Sequence, residues 1–394
     1  MRVALVTHQF FPAFYTGVER LTLNLAKHLR LIGHDAIVIT SAGHSARSPA
    51  PYSYDGTWVV PIQVAPVDPA RPWAHAGGSE LGATLDREGI DIVHVMQPMR
   101  LPGIFDEASR RGLPLIAHAP DFFYPCSRVT MVRVDESICP DAELGNACVA
   151  ACGIATGHDR FEWGRDVLDL AAAVVSPSRF ALDVHAKLGF DTSHWHHIPW
   201  GVDYALHPSR LPPPAGERLV VGFLGTVLRH KGPHVLVNAL RLAPDAPVEL
   251  RVYGGSFHES GYERDLHQLA AGDKRITFHG SYAHDELRLL LAELDVVAIP
   301  SLWHENLPTV GLNALASGVP VIGSEVGGIR ELVDDYSGGF TFQPDDAPAL
   351  ASLLEALAAD RSPLIAVRQR LKHPPGVEEE AFRVSMLYER AVSR

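Results

Sequence analysis

The sequence predicts an α/β protein with two doubly wound parallel-sheet domains that face a cleft. Short apolar runs alternate with segments of helical periodicity, which is the pattern of parallel sheets covered by helices on both faces. The pattern occurs twice, and a proline-rich stretch separates the two halves. With 394 residues, the chain is long enough for two domains that each bury a core.

The first domain is predicted to span residues 1–203. It opens with a strand from Val3 to Val6. A helix follows from Leu21 to Arg30, where apolar residues recur at helical spacing until Gly33 ends it. The later elements are strands at Ala36 to Thr40, Ile92 to Val95, Leu115 to Ala117 and Val174 to Ser178, and a helix from Arg179.

The second domain is predicted to span residues 219–375 and repeats the scheme. An apolar strand from Leu219 runs into a turn at Gly225, and a helix begins at Pro233. The later elements are strands at Val248 to Tyr253, Ile276 to Phe278, Asp295 to Ile299 and Val319 to Ile322, and a helix from Pro308 to Ser317 that Gly318 ends.

Two further segments complete the organisation. Residues 204–218 include four prolines and are predicted to link the domains. Residues 376–394 contain an amphipathic pattern from Val377 to Val392, which predicts a helix that could pack back on either domain, with the N-terminal domain as the first candidate. Parallel sheets bind ligands beyond the carboxyl ends of their strands, so a cleft between the domains is the expected binding site.

Composition narrows the functional class. The chain is 46% hydrophobic and carries a net charge of −12, so we expect no nucleic-acid partner, because such proteins need a basic face. We expect no signal peptide, because the chain begins directly with a strand, and no apolar run reaches the roughly 20 residues that span a bilayer. We therefore expect a cytoplasmic protein, at most peripheral to the inner face of the membrane.

The segment from Pro300 to Gly323 gives the strongest indication of chemistry. An apolar strand ends in a loop with one acid, Glu305, and a short helix follows from Pro308. Backbone N–H groups at a helix start favour an anion, and a carboxylate just before them can accept hydrogen bonds from hydroxyls. The segment predicts a site for a molecule that carries both a phosphate and a polyol.

Two glycine turns are candidates for phosphate contact. Lys231, at the end of the loop from Gly225 to Gly232, is a compact cation, and a fixed positive charge stabilises the charge that grows on a leaving diphosphate. The alternative is a loop of solvated basic residues. Gly17 precedes the first helix and could let a backbone N–H approach a phosphate, or could be an ordinary turn glycine.

Taken together, these segments resemble the family 4 retaining glycosyltransferases (glycosyl transferases group 1), which have the GT-B architecture of two Rossmann-like domains. The resemblance covers nearly the whole chain. The segments that carry it are Phe11-Pro12 with Gly17-Val18-Glu19, Asp91 to His94, His118, Val175 to Ser178, Ile198 to Asp203, Phe223 to Gly225, Lys231-Gly232, Gly280, Asp295 to Ser301, the Glu305 segment and Gly327 to Glu331.

The resemblance implies transfer of a sugar from a nucleoside-diphosphate sugar, of UDP or GDP type, to a glycan, a lipid-linked sugar or a small metabolite, with retained anomeric configuration and no cofactor. Glu305 would bind sugar hydroxyls, Lys231 the phosphates, and His118 would reach the transferred sugar unless it is a structural histidine. Asp121 would contact the acceptor. The implied donor-binding set is Gly17, Thr226, Arg229, Gly232, Asn306, Leu307, Pro308 and Asn313.

The chain departs from the family pattern at two positions. Asn313 stands where the family has a second glutamate that grips the ribose, and Thr226 stands where relatives have an arginine. Asparagine is neutral but can still bind a diol. Two alternatives therefore stay open: a sugar-nucleotide epimerase on the same fold, or a non-catalytic scaffold that has lost donor binding.

The four cysteines all lie in a predicted insertion at about residues 121–157. Four thiols in one segment are consistent with a structural tetrahedral zinc site, whereas the alternative is free thiols or a disulfide. The four candidate ligands are Cys126, Cys139, Cys148 and Cys152.

The first predicted helix carries a set of basic residues, which contact anionic lipids in some relatives. Exposure to water is the simpler interpretation. The residues are Arg20, Lys27, His28 and Arg30.

Overall fold

The computed structural model describes residues 1–14, 17–42, 50–64, 78–139, 143–204, 218–255 and 260–393. The chain divides into two units, the first made of Met1–Gly201 with Pro375–Arg394 and the second of Val202–Pro374. Of the predicted linker, residues 205–217 lie outside the described residues.

The described strands of unit 1 form one eight-stranded sheet in the order β3-β4-β2-β1-β5-β6-β7-β8. All neighbours are parallel except β3 and β4, which form an antiparallel pair at the edge. The strands are β1 (Arg2–Thr7), β2 (Asp35–Ser41), β3 (Tyr52–Tyr54), β4 (Thr57–Ile62), β5 (Ile92–Gln97), β6 (Leu115–His118), β7 (Ala173–Ser176) and β8 (Trp195–His197).

The helices of unit 1 connect these strands and bury their apolar residues. The central strands are buried along almost their whole length, which explains why they read as continuous apolar runs. The helices are α1 (Gly17–Leu31), α2 (Gly78–Glu88), α3 (Ile104–Arg110), α4 (Ala147–Cys152), α5 (Gly157–Asp169), α6 (Arg179–Lys187) and, at the end of the chain, α14 (Val377–Val392).

The described strands of unit 2 form a six-stranded parallel sheet in the order β11-β10-β9-β12-β13-β14. The strands are β9 (Leu219–Leu224), β10 (Val248–Tyr253), β11 (Ile276–Gly280), β12 (Val296–Ile299), β13 (Val321–Ser324) and β14 (Gly339–Phe342). The helices are α7 (Pro233–Leu242), α8 (Ser260–Leu269), α9 (Leu287–Ala292), α10 (Thr309–Ala316), α11 (Ile329–Asp334), α12 (Ala347–Ala359) and α13 (Ser362–Arg370).

The C-terminal helix α14 belongs to unit 1, where it packs on α1 and β6. Near its start, the buried Glu380 accepts a hydrogen bond from the N–H of Gly201 at 2.7 Å. A side chain at Gly201 would have no room, because its Cβ would lie 2.4 Å from the Cα of Val377. Burial raises the pKa of Glu380 to about 8, so its carboxyl is a proton-carrying group at neutral pH.

Of the strands in the described residues, sequence analysis misses four, which are β3, β4, β8 and β14. Three of them are short and lie at or next to a sheet edge, where half-exposed residues interrupt the apolar pattern. β4 contains Pro61, which argues against a strand from sequence alone. The missed strands extend the sheets but do not change their parallel class.

Candidate functional site

Two neighbouring strands position the main candidate site in unit 2. β9 and β12 are adjacent and parallel, so the loops that follow their carboxyl ends meet at one edge of the sheet. The loop after β9 carries Lys231, and the loop between β12 and α10 carries Glu305. Two residues that are 74 positions apart in sequence are thereby brought together.

Glu305 is held by three hydrogen-bond donors that converge on one carboxylate oxygen. Its Oε1 accepts from Lys231 Nζ at 2.6 Å, from Ser301 Oγ at 2.8 Å and from Trp303 Nε1 at 2.7 Å. The residue is only 6% exposed. All three of these donors bond Oε1, and no described residue donates to Oε2. The carboxylate is therefore oriented by one oxygen and offers the other to a ligand.

The charge of this carboxylate is maintained in spite of its burial. Burial alone would raise the pKa of Glu305, but the positive charge of Lys231 and the hydrogen bonds from Lys231, Ser301 and Trp303 together bring the pKa below its ordinary value. A charged group that is desolvated but well paired is typical of functional sites. At neutral pH Glu305 is an acceptor only, suited to hydroxyl groups of a ligand.

Sequence analysis does not identify Ser301 and Trp303 as site residues. Both lie before Glu305 in the loop between β12 and α10 that carries it. Trp303 has a second role, because the ammonium group of Lys231 lies 4.6 Å from its ring centre. The sequence did contain a signal that could have identified them, because both side chains are hydrogen-bond donors within four residues of Glu305, the only acid of the loop.

Gly232 explains how the Lys231 loop is fixed. Its φ is +70°, and a Cβ built there would lie 1.9 Å from the carbonyl oxygen of Pro300 at the end of β12. The N–H of Leu302 also donates to the carbonyl of His230 at 2.7 Å. Only glycine permits this backbone conformation and this close approach together. The structural role of Gly232 is thus to dock the Lys231 loop against the Glu305 loop.

A second glycine supports Glu305 from behind. A Cβ at Gly327, where φ is +62°, would lie 2.2 Å from the carbonyl oxygen of Glu305. The N–H of Gly328 donates to that same carbonyl at 2.7 Å. The motif that contains these glycines carries the family resemblance, and the structure shows that it braces the backbone of Glu305.

Helix α10 begins directly after this loop. Pro308 is its N-cap residue, lacks an N–H and makes no side-chain cap hydrogen bond, so it shapes the helix start without donating. Asn306 and Leu307 are buried at this point. The first N–H groups of an α-helix have no partner within the helix, and its dipole favours an anion there. One turn further on, Asn313 donates from Nδ2 to the carbonyl of Thr309 at 2.8 Å.

The two remaining donor-site candidates of unit 2 lie in the same loop as Lys231. Thr226 is half-buried, and its carbonyl accepts from the N–H of Leu228 at 3.0 Å. Arg229 is exposed, and its guanidinium carbon lies 5.0 Å from the ring centre of Tyr262. Among the described residues, the side chains that hydrogen-bond Glu305 are those of Lys231, Ser301 and Trp303, and not those of Thr226 or Arg229.

In unit 1, His118 is the last residue of β6 and is completely buried. Its Nδ1 is hydrogen-bonded to Nε2 of His94 at 2.7 Å, and its ring stacks on Trp200 at 4.8 Å. Burial and the neighbouring His94 lower the pKa of His118 well below its ordinary value, so the ring is neutral. Its Nε2 is buried without a hydrogen-bond partner among the described residues.

Asp121 and Gly17 also belong to unit 1. Asp121 is half-buried, and its two carboxylate oxygens accept from Gln97 Nε2 at 2.7 Å and from the N–H of Phe123 at 2.9 Å. Burial raises the pKa of Asp121 to about 6. Gly17 is the exposed first residue of α1, and a Cβ there would meet no atom within 4 Å.

The four cysteines of the insertion lie close together. All four line one small cavity and are free thiols. Within the described residues, no group of three or more His, Cys, Asp or Glu side chains is placed to hold a metal ion. The zinc hypothesis therefore receives no support from the structure. Burial raises the pKa of Cys148 to about 11, with a further contribution from the other thiols, which favours the protonated form.

The basic residues of α1 make contacts within unit 1. Lys27 pairs with Asp55, Arg30 donates to Thr57 Oγ1 at 2.9 Å, and the guanidinium carbon of Arg20 lies 4.7 Å from the ring centre of Phe11. His28 lies 3.4 Å from the carboxylate of Glu378 on α14. All four side chains are half-buried and have partners in unit 1, so they are less exposed to water than the sequence interpretation expected.

Comparison with known proteins decides the family. Residues 15–206 match the family model described as Glycosyltransferase Family 4, and residues 218–360 match the model described as Glycosyl transferases group 1. The chain belongs to the family 4 glycosyltransferases. The expected family, the glycosyltransferase class of enzyme and the GT-B fold are thus confirmed.

Two curated relatives of this glycosyltransferase cover almost its whole length. A D-inositol 3-phosphate glycosyltransferase from Xylanimonas cellulosilytica is 28% identical over an alignment of 407 residues with gaps. The alignment covers 96% of this chain and 92% of the relative. A GDP-mannose-dependent alpha-mannosyltransferase from Mycobacterium tuberculosis is 27% identical over 390 residues, with 92% of each chain covered.

Solved structures share the fold at lower identity. Sucrose-phosphate synthase from Thermosynechococcus elongatus has a TM-score of 0.77 at 18% identity, and covers 100% of this chain and 99% of its own. Anabaena HepE, solved in complex with UDP and glucose, has a TM-score of 0.73 at 18% identity, with coverage of 98% and 99%.

Across the described parts of the chain, we find no helix with the length and apolar character needed to cross a membrane.

Proposed function

We propose that the protein transfers a sugar, with retention of configuration, from a nucleoside-diphosphate sugar to an acceptor. The observation that carries this proposal is the Glu305 carboxylate, charged in a buried position and oriented by three donors next to Lys231. Such preorganisation is what a site needs in order to bind hydroxyls beside a diphosphate. A buried carboxylate is costly to keep charged, so its retention next to Lys231 favours donor binding over a non-catalytic scaffold.

Unit 2 binds the donor in this proposal. Glu305 Oε2 accepts hydrogen bonds from sugar hydroxyls, while Oε1 stays engaged with the protein. Lys231 uses one of its three N–H bonds on Glu305, which leaves two for diphosphate oxygens. The N–H groups of Asn306 and Leu307 and the start of α10 face the phosphates, and Asn313 holds the ribose.

The loop after β9 completes the diphosphate site. Gly232 presents Lys231 by docking the loop on Pro300. Thr226 and Arg229 contribute to the phosphate side of this loop. Positive charge near the leaving diphosphate stabilises the transition state more than the ground state, because negative charge grows there as the sugar departs.

The donor nucleotide is proposed to be of UDP or GDP type. The M. tuberculosis relative is named as GDP-mannose-dependent, whereas HepE is bound to UDP and, in another crystal, to UDP-glucose. Both bases occur among proteins similar to this chain, so the sugar nucleotide must be identified by measurement.

Unit 1 binds the acceptor in this proposal, which is a carbohydrate or another hydroxyl compound. Asp121 follows the carboxyl end of β6 and is the candidate for acceptor contact, and His118 at that strand end is the candidate for contact with the transferred sugar. Gly17, at the start of α1, stays a candidate for donor phosphate contact. The leaving diphosphate assists removal of the acceptor proton. The step needs no bound metal, since Lys231 supplies positive charge at the leaving group.

A binding screen with a matched control tests the donor site. Wild type, Glu305→Gln and Glu293→Gln are mixed with UDP, GDP, ADP and TDP sugars, with and without EDTA, and their melting temperatures are recorded. Glu293 is an exposed carboxylate in unit 2 that pairs with Arg251 at 2.7 Å, so its variant also loses an ion pair. A ligand at 100 times its dissociation constant stabilises the native state by about 2.7 kcal/mol.

We expect one sugar nucleotide to stabilise wild type and Glu293→Gln but not Glu305→Gln, with or without EDTA. That donor is then incubated with candidate acceptors, and the anomeric configuration of the product is read by NMR. Interconversion of the sugar without transfer would indicate an epimerase. Absence of stabilisation by every nucleotide would indicate a scaffold, with Asn313 as the first position to restore to glutamate.

A further inference from the structure

Three buried side chains from distant parts of unit 1 form a hydrogen-bonded chain that ends at His118. The hydroxyl of Tyr388, on α14, lies 2.6 Å from Nδ1 of His94 on β5. Nε2 of His94 lies 2.7 Å from Nδ1 of His118. All three side chains have no exposed surface. This hydrogen-bonded series ends at His118 Nε2, a buried atom without a partner among the described residues.

The number of protons in this chain allows two arrangements. Burial lowers the pKa of His94 to about 3, and that of His118 is lowered for the same reason, so both rings are neutral and carry one N–H each. The phenol of Tyr388 keeps its proton, because burial raises its pKa. Tyr388, His94 and His118 thus carry one proton each, and two hydrogen bonds join them. Both bonds form only if every group donates in the same direction, either from Tyr388 towards His118 or from His118 towards Tyr388.

The two directions differ in what they leave unpaired. If Tyr388 donates to His94 and His94 donates to His118, the only proton left over is on Nε2 of His118. If the direction is reversed, the Tyr388 hydroxyl proton has no acceptor, since no described residue except His94 bonds this hydroxyl. His118 Nε2 would then also be a bare, buried acceptor. The first direction leaves fewer buried polar groups without partners, so it is the stable one.

We propose that Tyr388 and His94 are positioning residues that hold His118 in the tautomer with its proton on Nε2. His118 is then a hydrogen-bond donor at the carboxyl end of β6, ready for an oxygen of the ligand. It cannot act as the base that removes a proton from the acceptor, because its accepting nitrogen, Nδ1, is occupied by His94. The contact with a ligand oxygen rests on the proposed transferase function.

The enclosure of His118 adds a condition to this role. Since the side chain has no exposed surface, a ligand oxygen reaches Nε2 only after neighbouring residues move aside. Trp200 covers one face of the ring by stacking at 4.8 Å, so it holds the ring plane while the edge with Nε2 is approached. The hydrogen-bonded chain fixes the tautomer and the stack fixes the orientation.

The tautomer is tested by NMR of the substrate-free protein labelled with ¹⁵N in the histidine rings. His118→Gln identifies the signals of His118. We expect a protonated Nε2 and a bare Nδ1 in wild type. Tyr388→Phe keeps the ring but removes the donor that sets the direction, so we expect a mixture of both tautomers. A wild-type proton on Nδ1, or an unchanged tautomer in Tyr388→Phe, would overturn the proposal.

Tyr204→Phe is the matched control. Its hydroxyl donates to the carbonyl of Pro374 at 2.6 Å, so the variant loses a tyrosine hydrogen bond of the same length with no histidine partner. The His118 signals should not change in it. The NMR result needs no substrate, so failure of this inference is distinguishable from failure of the transferase proposal.

The kinetic consequence is measured with the donor that the binding screen identifies. We expect Tyr388→Phe to lower kcat by about fivefold, the equivalent of one net hydrogen bond. The KM for the donor should stay within about twofold, because the nucleotide and diphosphate contacts proposed in unit 2 are intact. A positioning role would be excluded if Tyr204→Phe lost as much kcat as Tyr388→Phe. It would also be excluded if Tyr388→Phe kept its kcat although its His118 tautomer had become mixed.

Discussion

Gly232→Ala should disrupt the donor site through the backbone, without removing any side chain that contacts a ligand. The added Cβ would lie 1.9 Å from the carbonyl oxygen of Pro300, well inside van der Waals contact. Pro300 directly follows β12, so its carbonyl has little freedom to retreat. The loop that carries Lys231 must therefore shift, and the shift separates Lys231 from Glu305.

Two contributions set the expected loss of stability. A left-handed conformation costs an L-residue about 1–2 kcal/mol relative to glycine. The clash with Pro300 adds about 1–3 kcal/mol, the usual range for overpacking. Gly272→Ala is the matched control, because Gly272 has a φ of +88° but no atom within 4 Å of its Cβ. The control should show the first contribution only.

The assay compares melting temperatures with and without the sugar nucleotide that stabilises wild type. For domains of this size, 1 kcal/mol corresponds to about 2–4 °C. We expect Gly232→Ala to lose about twice as many degrees as Gly272→Ala and to lose the shift caused by the nucleotide. Equal losses in the two variants, with the nucleotide shift retained in both, would refute the docking role of Gly232.

Three further predictions concern Trp303, Glu380 and the cysteines. Trp303→Phe keeps a ring beside Lys231 but removes one donor to the Glu305 carboxylate, so calorimetry should show donor affinity about tenfold weaker. Because the pKa of Glu380 is raised from 4.5 to about 8, its protonated form stabilises the fold below about pH 4.5, and this contribution is lost as the pH rises towards 8. The free energy of unfolding of wild type should therefore fall by up to about 5 kcal/mol between these pH values, whereas that of Glu380→Gln should not. Parallel pH dependences of the two proteins would contradict the raised pKa. Thiol titration of the unfolded protein should give four free thiols, and elemental analysis no stoichiometric zinc, whereas one zinc per chain would restore the metal hypothesis.

Local patterns made the larger part of the fold predictable. The apolar periodicity from Val377 to Val392 gives the bounds of α14 as the structure has them. The central strands of both sheets were also found, because both of their faces are buried and their sequences are continuously apolar. β14 was missed because half-exposed residues at a sheet edge interrupt that signal. Such signals depend only on residues within a few positions of each other.

The candidate site was predictable residue by residue but not as an arrangement. Glu305 and Lys231 were chosen separately, from the chemistry of their loops and from the family resemblance. Their ion pair exists because β9 and β12 are neighbours in the sheet, although β10 and β11 lie between them in sequence. Ser301 and Trp303 acquire a function only because they point at the same oxygen.

By itself, the sequence determined the fold class, the family and the chemical identity of the main candidate residues, because apolar periodicity and short motifs are local properties of a chain. Only the tertiary structure decided which groups share a proton or a charge. Tyr388 and His94 are 294 residues apart, and their hydrogen bond follows from the return of α14 to the first unit. A hydrogen bond depends on tenths of an ångström between atoms, and that distance is set by the packing of whole elements.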